Sequence, residues 1–323
     1  MRAFITGHKG FIAQNLPDSL KKYEITAVQF KGQCARTPGW SKDDEICVYQ
    51  NSSDDWVTIL KETKTDIVIH NAAVVGTDVV GLRPDEATLT NMTGTYNIVQ
   101  AANKLDIPVV YLGTTVIYDT KVYQEGLIYE NSLTAPTTYY GYLKLYAEDY
   151  VKNNANTWSV IRPLFAYGGV GDMNSLISKT FYAHKNDKHI DMFLDPDKYK
   201  DYMHVEDFCD AVAITCAKGL FGEDYNVSAE LPLVTSQIVE KMSELCDRDL
   251  NELISWHPKT DYLGNHRLSA LKFREQTQWY PKISLDKGLK MSYESILNTD
   301  SDFNPLQHLE QAKSTGIDLT KFF

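Results

Sequence analysis

The chain has 323 residues, with 32 Lys and Arg against 43 Asp and Glu, giving a formal net charge of −11. That balance argues against nucleic acid as the main ligand, because phosphate-backbone binding needs net positive surface; a local basic pocket for one small phosphate compound stays compatible with it. Hydrophobic residues make up 43% and charged residues 23%, an ordinary globular composition in a chain long enough to bury its own core.

The first half alternates short β-rich runs with helical patterns. Strands are predicted at Arg2–Thr6, Ile25–Phe30, Ile67–His70, Val109–Leu112 and Trp158–Ile161. Helices are predicted at Asp55–Glu62, Asn91–Leu105 and Tyr139–Asn153. This alternation is that of an α/β fold, a parallel sheet with crossover helices. Several strands are bare apolar runs, so both sheet faces should be covered.

The second half is less regular. Gly168–Gly169–Val170–Gly171 marks a loop, and helical patterns follow near Ser175–His184, Glu206–Ala217, Ser236–Cys246 and Leu285–Leu297. The stretch 298–323 is polar and then weakly helical; it either docks on the body or a second subunit, or frays.

Apolar runs such as Ile67–Val68–Ile69 are strand-sized, far below the roughly 18 residues of a spanning helix. The N-terminus runs from Met1 into a glycine turn without the apolar stretch of a signal peptide. The five cysteines, Cys34, Cys47, Cys209, Cys216 and Cys246, are odd in number and contain no Cys-x-x-Cys pair, so neither a disulfide framework nor a zinc site is indicated. His8, His184 and His257 lack ligand-like spacing. The expectation is a reduced, cytoplasmic protein without a metal and without a membrane or nucleic-acid partner.

Phe4–Ile5–Thr6 leads into Gly7–His8–Lys9–Gly10–Phe11–Ile12–Ala13. A strand, a glycine turn and a helix make a pyrophosphate site: the glycines admit the phosphates and the N–H groups at the helix start face them. Ala13 lets the helix pack close to the strand. Pro17 falls inside that helix, where it should kink or shorten it. The second strand ends Gln29–Phe30–Lys31–Gly32, without the acid that accepts from the ribose hydroxyls of NAD. Lys9 and Lys31 favour the extra phosphate of NADP, although both also read as solvated surface lysines.

Tyr140 and Lys144 stand four residues apart and so share a helix face. An ammonium beside a phenol lowers its pKa, and such a phenol moves a proton to or from a sugar or alcohol oxygen. Val109–Val110–Tyr111–Leu112–Gly113–Thr114–Thr115 reads as a strand ending in two hydroxyls, where α/β sheets bind ligands. Plain strand propensity also accounts for those threonines.

Together these elements resemble the extended short-chain dehydrogenase/reductase family, the NAD-dependent epimerases and dehydratases that modify nucleotide sugars. The matching residues lie in family order: Thr6–Gly7–x–x–Gly10–Phe11–Ile12, His70–Asn71–Ala72–Ala73, Asn91–x–x–Gly94–Thr95, Thr114–Thr115–Val116–Ile117–Tyr118, Tyr140–x–x–x–Lys144, Arg162–Pro163–x–x–x–Tyr167–Gly168, His204–Val205–x–Asp207 and Trp279–x–Pro281. The resemblance covers about residues 1–297 and implies a Rossmann-type doubly wound sheet with a smaller C-terminal α/β substrate domain. The expected division is 1–167 with 202–228 for the dinucleotide, 168–201 with 229–297 for the substrate, and 298–323 as an extension. It also implies Tyr140 as acid/base, Lys144 as its partner and Thr114 as the catalytic hydroxyl. Gly7, Lys9, Gly10, Phe11, Ile12, Lys31, Ala72, Ala73, Asn91, Pro163 and Leu164 would join Tyr140 and Lys144 around NAD or NADP.

Departures from the family pattern narrow the chemistry. Dehydratases carry an aspartate and glutamate where this chain has Thr115–Val116, and GDP-fucose synthases, which it resembles around Gly7–Gly10 and Leu112–Gly113, carry a cysteine at Val116. Neither elimination nor epimerisation beside a ketone is served by threonine and valine. A 4-epimerase working through a transient ketone is expected, with an NADPH-dependent 4-keto-sugar reductase as the alternative. A non-catalytic dinucleotide sensor is a third reading, against which the presence of both Tyr140 and Lys144 counts. Phe165 replaces an asparagine, and Lys200 an arginine, that contact the sugar nucleotide; with Thr114 and Thr115 they are the expected substrate residues, and recognition should be atypical. Tyr142, Tyr146 and Tyr150 recur every four residues and either pair two subunits into a homodimer or cover the sheet.

Overall fold

The computed structural model describes residues 1–28, 51–119, 126–258, 264–299 and 303–317. Lys31, Cys34, Cys47 and the end of the predicted Ile25–Phe30 strand lie outside them.

The first half runs β1 (Arg2–Thr6), α1 (Phe11–Lys22), β2 (Thr26–Val28), α2 (Ser53–Glu62), β3 (Ile67–His70), α3 (Thr77–Leu82), α4 (Pro84–Thr88), a π turn (Leu89–Gly94), α5 (Thr95–Leu105), β4 (Val109–Leu112), α6 (Tyr139–Asn154) and β5 (Trp158–Pro163). It continues through β6 (Ala166–Tyr167), α7 (Leu176–Asn186), β7 (Ile190–Met192), β8 (Tyr199–Lys200), β9 (Met203–His204), α8 (Val205–Lys218) and β10 (Glu223–Val227). The chain ends with β11 (Leu233–Val234), α9 (Thr235–Cys246), β12 (Ile254–Trp256), α10 (Leu271–Thr277), α11 (Leu285–Leu297) and α12 (Gln307–Ser314).

Six strands form one parallel sheet in the order β10-β5-β4-β3-β1-β2. From β1 the chain steps outward to β2 and then returns to β3 on the other side. The winding reverses there, and the carboxyl ends of β1 and β3 flank a ligand crevice. Side chains alternate across the sheet: Ala3 and Ile5 pack with Leu16 and Leu20 of α1 and Phe208 and Val212 of α8. Phe4 and Val68 pack on the opposite face with Trp56 and Ile59 of α2 and Ile98 of α5. Burying side chains of this size contributes about 1.5–3 kcal/mol each, which holds the helices to both faces.

α1 continues five residues past Pro17, to Lys22, instead of ending there. Leu16, Ser19 and Leu20 are buried on the α8 side, and that packing outweighs the missing amide. The predicted helix from Asn91 starts as a π turn, a form concentrated at functional sites.

A second core gathers α7, α9, α11 and the β7–β12 pair around Phe181, Ile238, Met242 and Leu289. Phe303, Leu306 and Ala312 belong to it, so the C-terminal stretch docks on the body, helped by the Lys188–Glu310 ion pair at 2.9 Å.

Candidate active site

The glycine turn stands at the switch point. Gly7 has φ +64°, and a Cβ there would lie 2.7 Å from Ala72 Cα, so only glycine lets the tips of β1 and β3 approach so closely. Gly10 is the N-cap of α1 and offers no side-chain cap to the first helical amides. That leaves a helix start suited to an anion, beside the loop of Ala72 and Ala73. Phe11 and Ile12 open the helix with their side chains partly buried against the first core. Lys9 is half-buried, and its carbonyl accepts from Gln14 Nε2. Asn71 Nδ2 donates to the Gly7 carbonyl at 3.1 Å. These residues fit a dinucleotide pyrophosphate.

Tyr140 and Lys144 sit in the first turns of α6. Thr138 caps that helix by accepting from the Gly141 amide at 3.1 Å. A Cβ on Gly141 would lie 2.7 Å from Pro136 Cβ, so glycine lets this turn seat against Pro136 and place Tyr140. Tyr140 is hydrogen-bonded to Thr114, just beyond β4. Lys144 Nζ donates to the Leu112 carbonyl at 2.7 Å and lies 4.2 Å from the centre of the Tyr111 ring. The three predicted catalytic side chains are thus brought together at the carboxyl end of β4.

Their protonation departs from the sequence expectation. Burial pushes the Tyr140 phenol up to about 12, with the Thr114 hydrogen bond opposing, instead of the lysine pulling it down. Burial also brings the Lys144 ammonium down to about 7, against the pull of Glu148. Desolvation outweighs the charge pairing that Tyr-x-x-x-Lys suggests.

Asn91, in the π turn, clamps Val74 by accepting from its amide at 2.8 Å and donating to its carbonyl at 3.0 Å. Thr115 is buried and donates to the Pro163 carbonyl at 3.4 Å. Leu164 packs into a cluster with Ile117 and Tyr118.

Phe165 lines a cavity of about 260 Å³ with Gly76, Asp78, Lys179, Asp191 and Tyr202. Phe165 and Tyr202 stand with ring centres 5.3 Å apart. Lys200 is fully buried behind this wall: its Nζ donates to the Gly264 carbonyl at 2.5 Å and lies 5.8 Å from the Phe165 ring centre. α3, whose Thr77 and Asp78 line this cavity, also packs Val80 against Tyr140 and Leu143 of α6.

Sequence reasoning missed Glu148, Asp78, Lys179 and Asp191. Glu148 stands one turn beyond Lys144, a helical spacing that could have exposed it. Asp78, Lys179 and Asp191 come from separate elements and carry no local signal. Among the described residues no cluster of His, Cys, Asp or Glu is arranged to hold a metal, and no helix is long and apolar enough to cross a membrane.

A doubly wound sheet with a glycine turn at its switch point, and a buried Tyr–Lys pair beside a strand-end threonine, defines an NAD(P)-dependent enzyme of the extended short-chain dehydrogenase/reductase type. The profile of the NAD dependent epimerase/dehydratase family matches residues 3–228, and the chain belongs to that family. It is 23% identical over 316 residues to human dTDP-D-glucose 4,6-dehydratase, covering 91% of this chain and 89% of that one. It is 26% identical over 268 residues to GDP-6-deoxy-D-talose 4-dehydrogenase of Aggregatibacter actinomycetemcomitans, covering 80% and 85%. In fold it is similar to UDP-glucuronic acid 4-epimerase from Bacillus cereus in complex with UDP-glucuronic acid and NAD, at TM-score 0.77 and 20% identity, covering 92% and 99%.

Proposed function

We propose that this protein is a nucleotide-sugar 4-epimerase that works through a transient 4-ketone. The observation that carries the reading is the Tyr140–Thr114 hydroxyl pair, standing next to Thr115 and Val116 rather than an acid or a thiol. Two hydroxyls aimed at one substrate oxygen serve the interchange of alcohol and ketone. Elimination of water needs a carboxylate or comparable base beside them.

In this reading Gly7, Gly10 and the start of α1 hold the pyrophosphate of the dinucleotide, Ala72 and Ala73 line the cofactor, and Pro163 and Leu164 pass close to the nicotinamide. The bound nicotinamide supplies the hydride acceptor and donor. Tyr140 takes the proton of the sugar hydroxyl as the ketone forms and returns it when the alcohol is restored. Thr114 hydrogen-bonds the same oxygen and fixes its distance from the phenol. Lys144, held on the Leu112 carbonyl, supplies the positive charge that favours phenolate during the transfer. The cavity beside Phe165 and Tyr202 receives the nucleotide end of the substrate, with aromatic faces suited to a base. We propose for the chain the same two-part division, with residues 202–228 completing the dinucleotide domain through α8 and β10.

Lys9 in the glycine turn favours a second reading, an NADPH-dependent reductase of a 4-keto-sugar nucleotide. The two differ in how they hold the dinucleotide. An epimerase returns the hydride to the same intermediate and gains by keeping its cofactor; a reductase exchanges it each turnover. Protein purified without added cofactor is denatured, and the released dinucleotide is identified by mass spectrometry. Stoichiometric NAD supports the epimerase. Protein that emerges empty and then binds NADPH supports the reductase. A protein that binds neither refutes both readings.

A further inference from the structure

Three side chains form a buried chain between β1 and the π turn that the proposed reaction leaves without a task. His70, the last residue of β3, is 1% exposed. Its Nδ1 lies 2.8 Å from Thr6 Oγ1, and its Nε2 lies 2.9 Å from Thr95 Oγ1. The Thr95 hydroxyl donates to the Asn91 carbonyl at 2.7 Å. Its single proton is therefore committed, and the proton shared with His70 sits on Nε2. At the other end Thr6 Oγ1 accepts from the Asn71 amide at 3.1 Å and the Ala72 amide at 3.0 Å. Both lone pairs are then filled, so the Thr6 hydroxyl proton goes to His70 Nδ1. The opposite tautomer would bring three donors onto Thr6 Oγ1 and strip the Asn91 carbonyl of its threonine. Both ends select the same neutral, Nε2-protonated ring.

This chain joins two clamps on one loop. Thr6 holds the loop's start at Asn71 and Ala72, where Asn71 also reaches the Gly7 carbonyl. Asn91 holds its end at Val74, which packs with Tyr140 and Leu143. We propose that His70 is a positioning residue that locks the glycine turn and the catalytic helix into one register across the loop Asn71–Val74. The inference rests on the reading of that turn as the dinucleotide site. Dinucleotide binding is then strongest when the Thr6–His70–Thr95 chain is intact, although none of its side chains is assigned to touch the ligand.

Two measurements on the full chain test it. In ¹⁵N-histidine-labelled protein, the His70 ring is expected to be neutral and protonated on Nε2 throughout pH 5.5–8.5. A charged ring or an Nδ1-protonated one overturns the proposal. Binding of NADH and NADPH is then titrated on Thr95→Val, which removes the hydroxyl while keeping the shape, and on Thr95→Ser, which keeps it. Valine is expected to weaken binding of the dinucleotide the wild type prefers by about threefold to tenfold, and serine to bind within about twofold of wild type. A valine variant that melts lower yet binds as tightly as wild type shows a purely structural role and overturns the proposal, as does a serine variant no better than valine. If the wild type itself binds neither probe, the dinucleotide reading fails and the coupling falls with it. That outcome is distinct from a failure confined to the variants.

Discussion

Arg162 grips Glu148 with two guanidinium nitrogens, Nε to Oε2 at 3.0 Å and Nη2 to Oε1 at 2.5 Å, one helical turn beyond Lys144. The pair is buried, 2% exposed on each side chain, and lies under Gly113, where a Cβ would stand 3.0 Å from Arg162 Cγ and 3.1 Å from Glu148 Oε2. Arg162 also meets Asp224 of β10 and the Tyr118 hydroxyl, so its charge is shared and Glu148 keeps a net pull on Lys144.

Glu148→Gln keeps a hydrogen-bond acceptor for Arg162 and removes the charge. Lys144 already titrates near 7 because burial opposes its ammonium, and without Glu148 it loses its proton at still lower pH. If turnover needs Lys144 charged, the alkaline limb of kcat/KM moves acidward by about one pH unit, an effect of about 1.4 kcal/mol. The pH–rate profile checks this. A variant that melts lower with an unmoved limb would show that Glu148 only supports the fold.

Tyr140→Phe removes the proton carrier and leaves the ring that packs with Val80 and Leu143. Turnover is expected to fall about 10²–10⁴-fold, with dinucleotide retention unchanged. Thr114→Val, which keeps the phenol but removes its hydrogen-bond partner, should cost less. Steady-state kinetics beside mass spectrometry of the retained dinucleotide separates these effects. A Phe variant that turns over as fast as wild type would remove Tyr140 from the role of proton carrier; a wild type that retains dinucleotide and turns over no nucleotide sugar would favour the sensor reading.

Much of this site was legible in the sequence because its parts are local. The strand–glycine–helix run, the hydroxyls ending Val109–Leu112 and the four-residue spacing of Tyr140 and Lys144 each need only neighbouring residues. The sixth strand was not legible. Glu223–Asp224–Tyr225–Asn226–Val227 reads as polar, yet Asn226 is fully buried and bonded to the Tyr118 hydroxyl at 2.9 Å, and Asp224 meets Arg162. Partners more than 60 residues away meet the Asn226 side-chain oxygen and the Asp224 carboxylate, and no periodicity announces them. The ionisation of Tyr140 and Lys144 was misread for a related reason: spacing reveals who faces whom, while burial decides which proton state wins.

Acid stability follows from buried groups of opposite sign. Burial, with the charges of Lys144 and Lys200 respectively adding to it, brings His70 and His266 from 6.5 to about 3. The unfolded chain therefore binds more protons between these limits, and each histidine withdraws stability as pH falls from 6.5 toward 3, on the order of 5 kcal/mol each when complete. Asp201 moves from 3.8 up to about 7 by burial, so it contributes stability at low pH that is lost as pH rises through 7. Burial raises Glu130, Asp172 and Asp207 as well, so the histidine share is read as a difference between wild type and a variant as pH falls from 6.5 to 5. Both ring nitrogens of His266 are buried without a hydrogen-bond partner, so His266→Leu removes one of the two acid-labile groups at little structural cost. Urea unfolding across pH 5–6.5 should show a shallower decline in the variant; an unchanged decline would exclude His266 as a contributor.

The face of α5 and α6 carries the last prediction. Tyr142 and Tyr146 are 52% and 66% exposed, and Tyr96, Tyr139 and Leu89 are exposed as well. Tyr150, the third tyrosine of the spacing, instead turns inward, accepting from Gln100 Nε2 at 2.8 Å and lying 5.6 Å from the Tyr96 ring centre. The stripe is thus divided, one tyrosine bracing α6 on α5 and the others left toward solvent. Exposed aromatics in this number on two adjacent helices suit the same face of a second copy, because an isologous contact buries each ring twice. A homodimer is expected. Tyr142→Asp with Tyr146→Asp places four carboxylates in that contact and should shift the protein to monomer in sedimentation at micromolar concentration, with the far-ultraviolet spectrum unchanged. Wild-type protein that already sediments as a monomer would rule out this pairing and leave the tyrosines as plain surface.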